Sequence, residues 1–350
     1  MAKARIGLDI GSTAVRSAEI TAGGSPAVVR AAQVALPAGS VENGEVREPE
    51  AVSEALRELW QRGSFKSRQV WMGVGNQRVI VREIAIPYMP EKELRASLGF
   101  QVQEFIPMSV DEAVLDFDPI GEFEQEGRRM LRMLLVAAQR AMVDQLVAAA
   151  TGARLEPLGL DLIPFSLVRA VGHPDAGMDL EEAGEEAIID IGAHVTNIVV
   201  HARGTTRFVR ILPSGGRDVT LAIARAAGLE DEVAERLKRG EAVEDMPSPD
   251  EVRPVAMTRG SAFVDEVRSS LEFYTAQARD ARIGRVLVTG GGSKLPGLLD
   301  VMRERIPVPV EPAHVFERVT SQLSLSPEAT TEAEPVLTVA VGLALPGEKS

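Results

Sequence analysis

The stretch Leu8–Arg16, LDIGSTAVR, decides the fold because a similar stretch, IDIGAHVTN, occurs again at Ile189–Asn197. In each, an apolar strand ends in an aspartate, an apolar residue and a glycine, and a short turn leads into a second strand. A glycine-containing hairpin turn exposes backbone N–H groups that can hold phosphate oxygens. An aspartate at the strand end can orient a hydrated Mg²⁺, since that ion keeps several waters. One such turn would be weak evidence, but two copies indicate a nucleotide clamped between two duplicated domains.

A third stretch, Val286–Leu298 (VLVTGGGSKLPGL), supports this interpretation. Its β-branched apolar run is typical of a buried strand. The run breaks into three consecutive glycines, Gly290, Gly291 and Gly292. Glycines let backbone N–H groups come close to a ligand, and Ser293 can cap a helix entered through Pro296, whose N-terminus would favour an anion. Alone, the stretch could equally be a tight strand-to-helix turn.

The length and composition favour a large protein of two or more domains and exclude several kinds of site. The chain has 350 residues, 45% of them hydrophobic, which is enough to bury a large core over two or more domains. Its formal charge of -13 argues against a general binder of nucleic acid or of anionic membranes. It has no cysteine, which excludes disulfides, thiolate catalysis and cysteine-ligated zinc, and its four histidines lack the spacing of a metal motif.

Signals of export or membrane insertion are also missing from the sequence. The opening residues, MAKARIGLDIG, run directly into a strand without the apolar core of a signal peptide. No apolar run is long enough to span a bilayer. We therefore expect a cytoplasmic protein with no direct membrane insertion.

The pattern of apolar residues predicts an α/β fold of two duplicated lobes with a small α+β insertion. The predicted units are an N-terminal lobe at 1–86, an inserted subdomain at 87–163, a connecting helix and acidic loop at 164–186, a C-terminal lobe at 187–323, and an acidic linker with a closing helix at 324–350. The order helix, strand, strand, helix, strand indicates that the insertion is a separate unit, although more of the same sheet would give a similar pattern.

Two further boundaries follow from the polar stretches of the second half. Residues 244–254, rich in proline and acid, predict a loop before a long helix at 255–278. Residues 324–335 predict a linker of low hydrophobicity before a closing helix at 336–345.

The ordered set of motifs resembles the actin-like ATPase superfamily and, within it, the PilM family of type IV pilus assembly proteins. Besides the two hairpins, the triple glycine and the insertion, the resemblance rests on the following segments: IPFSLVRAV (163–171), ILPSGGRDVTLAIA (211–224), AERLKRG (234–240), VRSSLEFYTAQ (267–277) and LTVAVGLAL (337–345). It covers essentially the whole chain and implies an actin-like two-lobed fold, similar to that of the division protein FtsA, whose insertion sits at a corresponding place.

This resemblance implies a site for ATP or ADP with Mg²⁺. The first phosphate loop would be formed by Asp9, Gly11, Ser12 and Thr13. The second would be formed by Asp190, Gly192 and Thr196, with Asp190 also the candidate catalytic residue. Asp9 and Asp190 would hold the metal through water. The nucleoside would be lined by Gly290, Gly291, Gly292 and Ser293.

A pair of charged residues, Glu235 and Lys238, matches the E-x-x-K pattern that flanks adenine and ribose in related ATPases. The spacing puts both side chains on one helix face, although an ordinary surface ion pair would have the same spacing. Gly215 and Gly216 could also approach the nucleotide, or could simply form a turn.

One departure from the relatives concerns hydrolysis. In several of them, the helix after the insertion starts with Glu-Pro, and the glutamate helps to place the attacking water. The aligned position here is Ile163, and a hydrocarbon can neither accept a proton nor orient water. Asp161 lies close by in the sequence as a candidate substitute. Our hypothesis is that ATP is bound but hydrolysed slowly or not at all.

The resemblance implies a cytoplasmic scaffold that is peripheral to the inner membrane and is held there by protein partners. It would bind the cytoplasmic N-terminal peptide of PilN in a groove between the N-terminal lobe and the insertion, and it could form a homo-oligomer or ring. Two alternatives come from the same superfamily. A small-molecule kinase would need a sugar-pocket motif, which the sequence does not display, and a membrane-tethered filament of the FtsA type would need a basic amphipathic helix at its end.

Overall fold

The computed structural model describes residues 4–21, 25–173, 184–278 and 281–347. The strands in these ranges are β1 (Arg5–Ile10), β2 (Ala14–Thr21), β3 (Ala27–Ala35), β4 (Val41–Glu42), β5 (Glu45–Val46), β6 (Gln69–Val74), β7 (Val79–Pro87), β8 (Ala113–Gln125), β9 (Arg128–Gln139), β10 (Glu156–Leu162), β11 (Glu185–Ile191), β12 (Thr196–Ala202), β13 (Thr205–Leu212), β14 (Ile283–Thr289), β15 (Val310–Pro312) and β16 (Thr320–Ser321). The α-helices are α1 (Pro49–Arg62), α2 (Glu91–Val102), α3 (Arg140–Gly152), α4 (Ile163–Val171), α5 (Gly216–Ala227), α6 (Asp231–Lys238), α7 (Pro249–Gln277), α8 (Leu298–Arg305), α9 (Val315–Arg318) and α10 (Pro327–Ala344). Most of the predicted acidic loop at 173–186 lies outside the described residues.

Two sheets repeat one topology. The first has the order β10-β6-β1-β2-β3-β16, and the second has the order β13-β12-β11-β14-β15. In each, three consecutive antiparallel strands (β1 to β3, and β11 to β13) are extended by two parallel strands, β6 and β10 in one and β14 and β15 in the other. The predicted duplication is therefore present in the strand order as well as in the sequence.

The two predicted hairpins have the same register. Ile10 pairs with Val15 across the first turn, and Ile191 pairs with Thr196 across the second, so each turn has four residues. Each turn is closed by the same bond, from Gly11 N–H to the Ala14 carbonyl at 3.1 Å and from Gly192 N–H to the Val195 carbonyl at 2.9 Å.

Helices α4 and α10 lie between the two sheets and share one apolar core with them. That core contains fully buried residues from both helices and from the facing strands, such as Leu167, Ala340, Ala18 and Ile188. α10 approaches β1 so closely that a Cβ on Gly7 would lie 2.0 Å from the Ala340 carbonyl oxygen. The outer face of the first sheet is covered by α1 and α3, and the outer face of the second by α7 and α8.

The inserted unit is a three-stranded antiparallel sheet of order β7-β9-β8, with α2 packed on it over a core of its own. Its bounds differ from the predicted 87–163. At its start, the unit is longer than predicted, because β7 begins at Val79. At its end, it is shorter, because α3 packs on α1 and β10 pairs with β6, so both elements belong to the first sheet and its helical layer. Thus the alternative interpretation, a return to the main sheet, holds for residues 140–162. Both readings give an amphipathic helix followed by an apolar strand, and only the pairing partner separates them.

Two predicted loops are largely helical. α7 begins at Pro249 rather than at 255, because the Ser248 hydroxyl accepts from Glu251 N–H while the Glu251 side chain accepts from Ser248 N–H at 2.6 Å. α10 begins at Pro327, inside the predicted linker 324–335, with Ser326 accepting from Ala329 N–H. A capped first turn compensates for low hydrophobicity in both cases.

None of the helices in the described part of the chain combines the length and apolarity that crossing a bilayer requires.

Candidate nucleotide site

The two predicted aspartates occupy equivalent places in the two hairpins but have different partners. Asp9 stands opposite Arg16 in the β1–β2 register, with 3.5 Å between the carboxylate and guanidinium. Asp190 stands opposite Asn197, whose Nδ2 donates to Oδ2 of Asp190 at 3.1 Å. Both carboxylates are 8% exposed. The site therefore holds two buried acids, and the one in the second hairpin is paired with a neutral amide.

Burial shifts the proton equilibria of both acids. Burial raises the pKa of Asp190 to about 6, the Asn197 hydrogen bond opposes that rise, and the negative charge of Asp9 adds to it. Burial also raises the pKa of Asp9, against the attraction of Arg16. Because burial disfavours the ionised form of each acid, a metal or cationic ligand between the two groups would favour their ionised forms.

The triple glycine passes directly against the second hairpin, as predicted. Gly290 has a φ of +86°, and a Cβ there would lie 2.5 Å from Oδ1 of Asp190 and 2.4 Å from the Ile191 carbonyl oxygen. A Cβ on Gly292 would lie 2.4 Å from Cγ2 of Ile191. No larger residue fits at either position, so the glycines are required by close backbone approach.

Gly215 and Gly216 join the same place from the β13–α5 turn. Gly216 N–H donates to the Gly192 carbonyl at 3.0 Å, and a Cβ on Gly215 would lie 2.5 Å from that oxygen. These two glycines therefore do more than reverse the chain, because they carry the N-terminus of α5 to the second hairpin.

Thr196 and Ser293 are placed differently from the predicted ligand-facing arrangement. Thr196 is fully buried, and its hydroxyl donates to the Ser214 carbonyl at 2.8 Å, which fixes the hairpin to the β13–α5 turn. The Ser293 hydroxyl donates to the Gly290 carbonyl at 2.7 Å inside a short 3₁₀ turn. The prediction that Ser293 caps a helix is wrong, because α8 begins only at Leu298. Gly297, just before it, has a left-handed backbone conformation. Both hydroxyls hold the loops in place.

The E-x-x-K pair points towards these glycines. Lys238 Nζ donates to the Gly216 carbonyl at 3.1 Å, to the Thr220 hydroxyl at 3.0 Å and to Glu235 at 2.6 Å. Only 12% of the Lys238 side chain is exposed, which argues against an ordinary surface pair. Burial lowers the pKa of Lys238, and the nearby Glu235 charge limits that effect.

In the first hairpin, the Thr13 carbonyl accepts from Leu36 N–H at 2.9 Å, so its backbone is fixed by β3. The hydroxyls of Ser12 and Thr13 bond to no described residue and remain available to a ligand. The Arg16 guanidinium lies beside the turn, 3.1 Å from the position of a Cβ on Gly11. This cation was not among the predicted site residues.

Asn197 is a second residue that the sequence prediction missed. Its side chain is 3% exposed, and its Oδ1 has no hydrogen-bond partner among the described residues. That oxygen lies 2.8 Å from the position of a Cβ on Gly75, in the N-terminal lobe. A buried acceptor without a donor is costly, and a water or hydrated ion in the cleft would supply one.

Ile163 occupies the place that the alignment predicted, beside this orphaned oxygen. A Cβ on Gly75 would be 3.1 Å from its Cδ1, and one on Gly73 would be 2.9 Å from its Cγ1. Asp161, the suggested substitute acid, instead forms an ion pair with Arg169 of α4. Residue 161 therefore does not replace the missing glutamate.

The residues at this site fit a hydrated Mg²⁺ better than a directly ligated metal. No group of three or more histidine, aspartate or glutamate side chains comes together in the described part of the chain. Two carboxylates, an amide oxygen and a cradle of glycine backbone are compatible with an ion that keeps most of its water and bridges to phosphate.

Comparison with known proteins identifies the family. The protein-family model of the type IV pilus assembly protein PilM matches residues 7–348 of this chain. This chain belongs to the PilM family. A solved PilM–PilN type IV pilus biogenesis complex is 31% identical and matches with a TM-score of 0.84 over 97% of this chain and 97% of that chain.

More distant relatives show that this chain has an actin-like fold. The cell division protein FtsA of Bacillus subtilis (strain 168) is 26% identical over 188 residues, an alignment that covers 49% of this chain and 42% of FtsA. MreB5 of Spiroplasma citri, solved bound to ADP, matches with 14% identity and a TM-score of 0.53 over 97% of this chain and 94% of its own. The fold is therefore the predicted actin-like α/β fold.

Proposed function

We propose that this PilM family member is an ATP-binding scaffold of type IV pilus assembly that binds the N-terminal peptide of PilN. The observation that carries the nucleotide site is the convergence of Gly216 and Gly290 on the hairpin that holds Asp190, with Lys238 bonded to the Gly216 carbonyl. The partner is supported by the match to a solved PilM–PilN complex. The scaffold would be cytoplasmic and would be held at the inner membrane by such partners.

Each group has a distinct role in this proposal. Asp9 and Asp190 would hold a hydrated Mg²⁺ through its water molecules, and the ion would neutralise phosphate charge. Ser12 and Thr13 would offer backbone N–H and hydroxyl groups to the phosphates from one lobe, and the turn that follows Gly192 would offer backbone N–H groups from the other. Gly11 and Gly192 shape these turns, since their own N–H groups bond to the Ala14 and Val195 carbonyls. Glu235 and Lys238 flank the ribose and base, which lie against the glycine backbone of Gly215 and Gly216 and of Gly290, Gly291 and Gly292. Thr196 and Ser293 act by fixing these turns.

We assign the inserted subdomain to residues 79–139 and place the partner groove between it and the N-terminal lobe. The support is an exposed aromatic side chain on α2, since Phe100 is 83% exposed. Exposed aromatic residues are typical of recognition surfaces. ATP would bring the lobes together and so change this groove by population shift.

The first prediction tests the coupling between nucleotide and partner. A labelled peptide of the PilN N-terminus should bind the full chain about fivefold or more tightly with Mg-ATP than without, as allosteric couplings of this size are common. Fluorescence anisotropy of the labelled peptide measures this difference in affinity.

In Lys238→Ala we expect nucleotide binding to weaken by about tenfold or more. At the same ATP concentration, we expect the difference in peptide affinity to disappear. Arg236→Ala, an exposed position on the same helix, is the control. Absence of peptide binding with ATP would contradict the partner, and unchanged ATP affinity in Lys238→Ala would contradict the site.

The second prediction concerns hydrolysis. We expect the wild-type chain to release phosphate from ATP slowly or not at all, because Ile163 cannot orient water. Ile163→Glu should raise the single-turnover rate by about tenfold or more, as a positioned general base typically contributes that much. Ile163→Gln is the matched control, because it has similar size without a basic carboxylate. Brisk wild-type hydrolysis that Asp190→Ala abolishes would refute the hypothesis.

A further inference from the structure

A cavity of about 500 Å³ opens at the end of the N-terminal lobe that faces away from the nucleotide cleft. Arg68 and Arg154 line this cavity. Arg68 immediately precedes β6, and Arg154 lies two residues before β10. The carboxyl ends of the same strands lead to Gly75 and Ile163 at the cleft. The two sites are thus separated by the length of these strands, roughly 20 Å at 3.3 Å per residue.

Three guanidiniums dominate the rim of this cavity, which we call the arginine pocket and define by Arg57, Arg68 and Arg154. Arg57 donates to the Gly152 carbonyl at 2.9 Å, at the C-terminal end of α3. The side chains of Arg68 and Arg154 bond to no described residue, and no described carboxylate pairs with any of the three guanidiniums. An excess of unpaired positive charge is unusual on a chain with a formal charge of -13.

The floor of the arginine pocket offers little apolar surface. Trp60 and Phe65 line it, but they are 3% and 7% exposed, and their rings pack on each other with centroids 5.1 Å apart. The indole N–H of Trp60 is already donated to the Ser67 carbonyl at 2.8 Å. A ligand with a stacked base or a large apolar body would therefore find few contacts here, and the binding energy must come from the guanidiniums.

The helix ends at the pocket do not provide the backbone groups of a typical phosphate site. α1 and α3 both terminate here, so carbonyl groups and the negative ends of the helix dipoles face this region. Phosphate sites usually draw on helix N-termini or free backbone N–H groups, and these helix ends provide neither. Arginine pairs bidentately with carboxylates as it does with phosphates, so three guanidiniums can hold carboxylates without backbone N–H donors. Because the three arginines come from three separate segments, they suit several carboxylates spaced along a chain.

We propose that the arginine pocket binds an acidic segment of a partner protein, with two or three carboxylates paired to Arg57, Arg68 and Arg154. The pocket gives this scaffold a second protein-binding surface, distinct in position and in charge preference from the aromatic surface assigned to the PilN peptide. Binding is electrostatic and weakens as ionic strength rises.

The experiment uses the full chain and a fluorescein-labelled hexaglutamate peptide, with anisotropy measured at low and at physiological salt. The wild-type chain should bind the peptide at low salt, and Arg68→Gln/Arg154→Gln should bind it about tenfold or more weakly. The control is Arg128→Gln/Arg225→Gln, which removes two exposed arginines whose side chains likewise bond to no described residue; its affinity should equal that of the wild type. Unchanged ATP binding and thermal midpoint in the pocket variant show that it is folded and that its loss is independent of the nucleotide site.

Four results would overturn the proposal. The peptide could fail to bind, or could bind the pocket variant as tightly as the wild type. Inorganic phosphate could displace the peptide at lower concentration than free glutamate, which would assign the pocket to a phosphorylated ligand. Sedimentation could show self-association of the wild type that Arg68→Gln/Arg154→Gln abolishes, which would make the occupant a second copy of this chain.

Discussion

Asp190→Asn is expected to stabilise the nucleotide-free protein at pH 7.5 while removing the stabilisation that Mg-ATP gives the wild type. In the folded protein, burial raises the pKa of Asp190 to about 6 from an ordinary value of 3.8. Ionisation of this acid at neutral pH therefore opposes folding. Asparagine has nearly the same shape, carries no charge, and retains an oxygen that can accept from Asn197.

The size of this stability difference depends on pH in a defined window. Well below its ordinary pKa of 3.8, the carboxyl is protonated in both the folded and unfolded chains, so the variant and the wild type should be equally stable. As pH rises from about 4 to about 6, the wild type loses free energy of unfolding, up to about 3 kcal/mol for a pKa shift of roughly two units. The variant avoids this loss, so its advantage should be complete above pH 7.

Thermal unfolding from about pH 3 to pH 8, with and without Mg-ATP, measures both effects. Asp9→Asn is the matched control, because it removes the equivalent acid but leaves Arg16 without its carboxylate, and we expect a smaller gain. A lower midpoint for Asp190→Asn at pH 7.5 would show that the ionised acid is not disfavoured. A full ATP-dependent shift in the variant would show that this carboxylate is not needed for nucleotide binding.

Gly342→Ala is expected to destabilise the protein by about 3 kcal/mol or more, at the upper end of what overpacking costs. A Cβ at this position would lie 2.1 Å from the Ser166 carbonyl oxygen and 2.7 Å from its carbonyl carbon. Both are backbone atoms of α4, so no side-chain rotation can relieve the clash. Helices α4 and α10 would have to separate in the core that joins the two sheets.

Urea denaturation of Gly342→Ala and of Gly260→Ala provides a matched comparison of two helical glycines. At Gly260 in α7, the nearest atoms to a Cβ are side-chain carbons of Leu295 and Leu298 at 3.5 Å. Alanine there should be neutral or stabilising by up to about 1 kcal/mol, because it has the higher helix propensity. Equal stability of the two variants would mean that α4 and α10 are not in the close contact described.

The parts of the fold that the sequence could predict are those specified by local pattern. The two Asp-x-Gly hairpins and the triple glycine have short-range signatures, and they determine which residues meet. The insertion boundary could not be read in the same way, because α3 and β10 have patterns that suit either sheet. Their placement depends on pairing between β10 and β6, which are separated by more than 80 residues.

The candidate site likewise contains residues that a local motif predicts and residues that it does not. Asp9, Asp190 and the glycines were predictable because the backbone motif requires them. Arg16 and Asn197 were missed, although each follows its aspartate by seven residues and a four-residue hairpin turn places them opposite. The register of the hairpin was thus the signal that could have identified them. The pairing of Asp161 with Arg169 depends on how α4 packs, and no local motif specifies that.

The return of α10 and β16 to the first sheet has a consequence for biosynthesis. β16 pairs with β3, and α10 covers β1 at Gly7, yet both elements are made after every other strand of the two sheets. While the chain emerges from the ribosome, the first lobe carries an uncovered apolar face and an open strand edge until residues 320–344 arrive. A stop codon near residue 315 would therefore damage the lobe that was translated first, and its product should be recovered mainly in aggregates or as a substrate of chaperones.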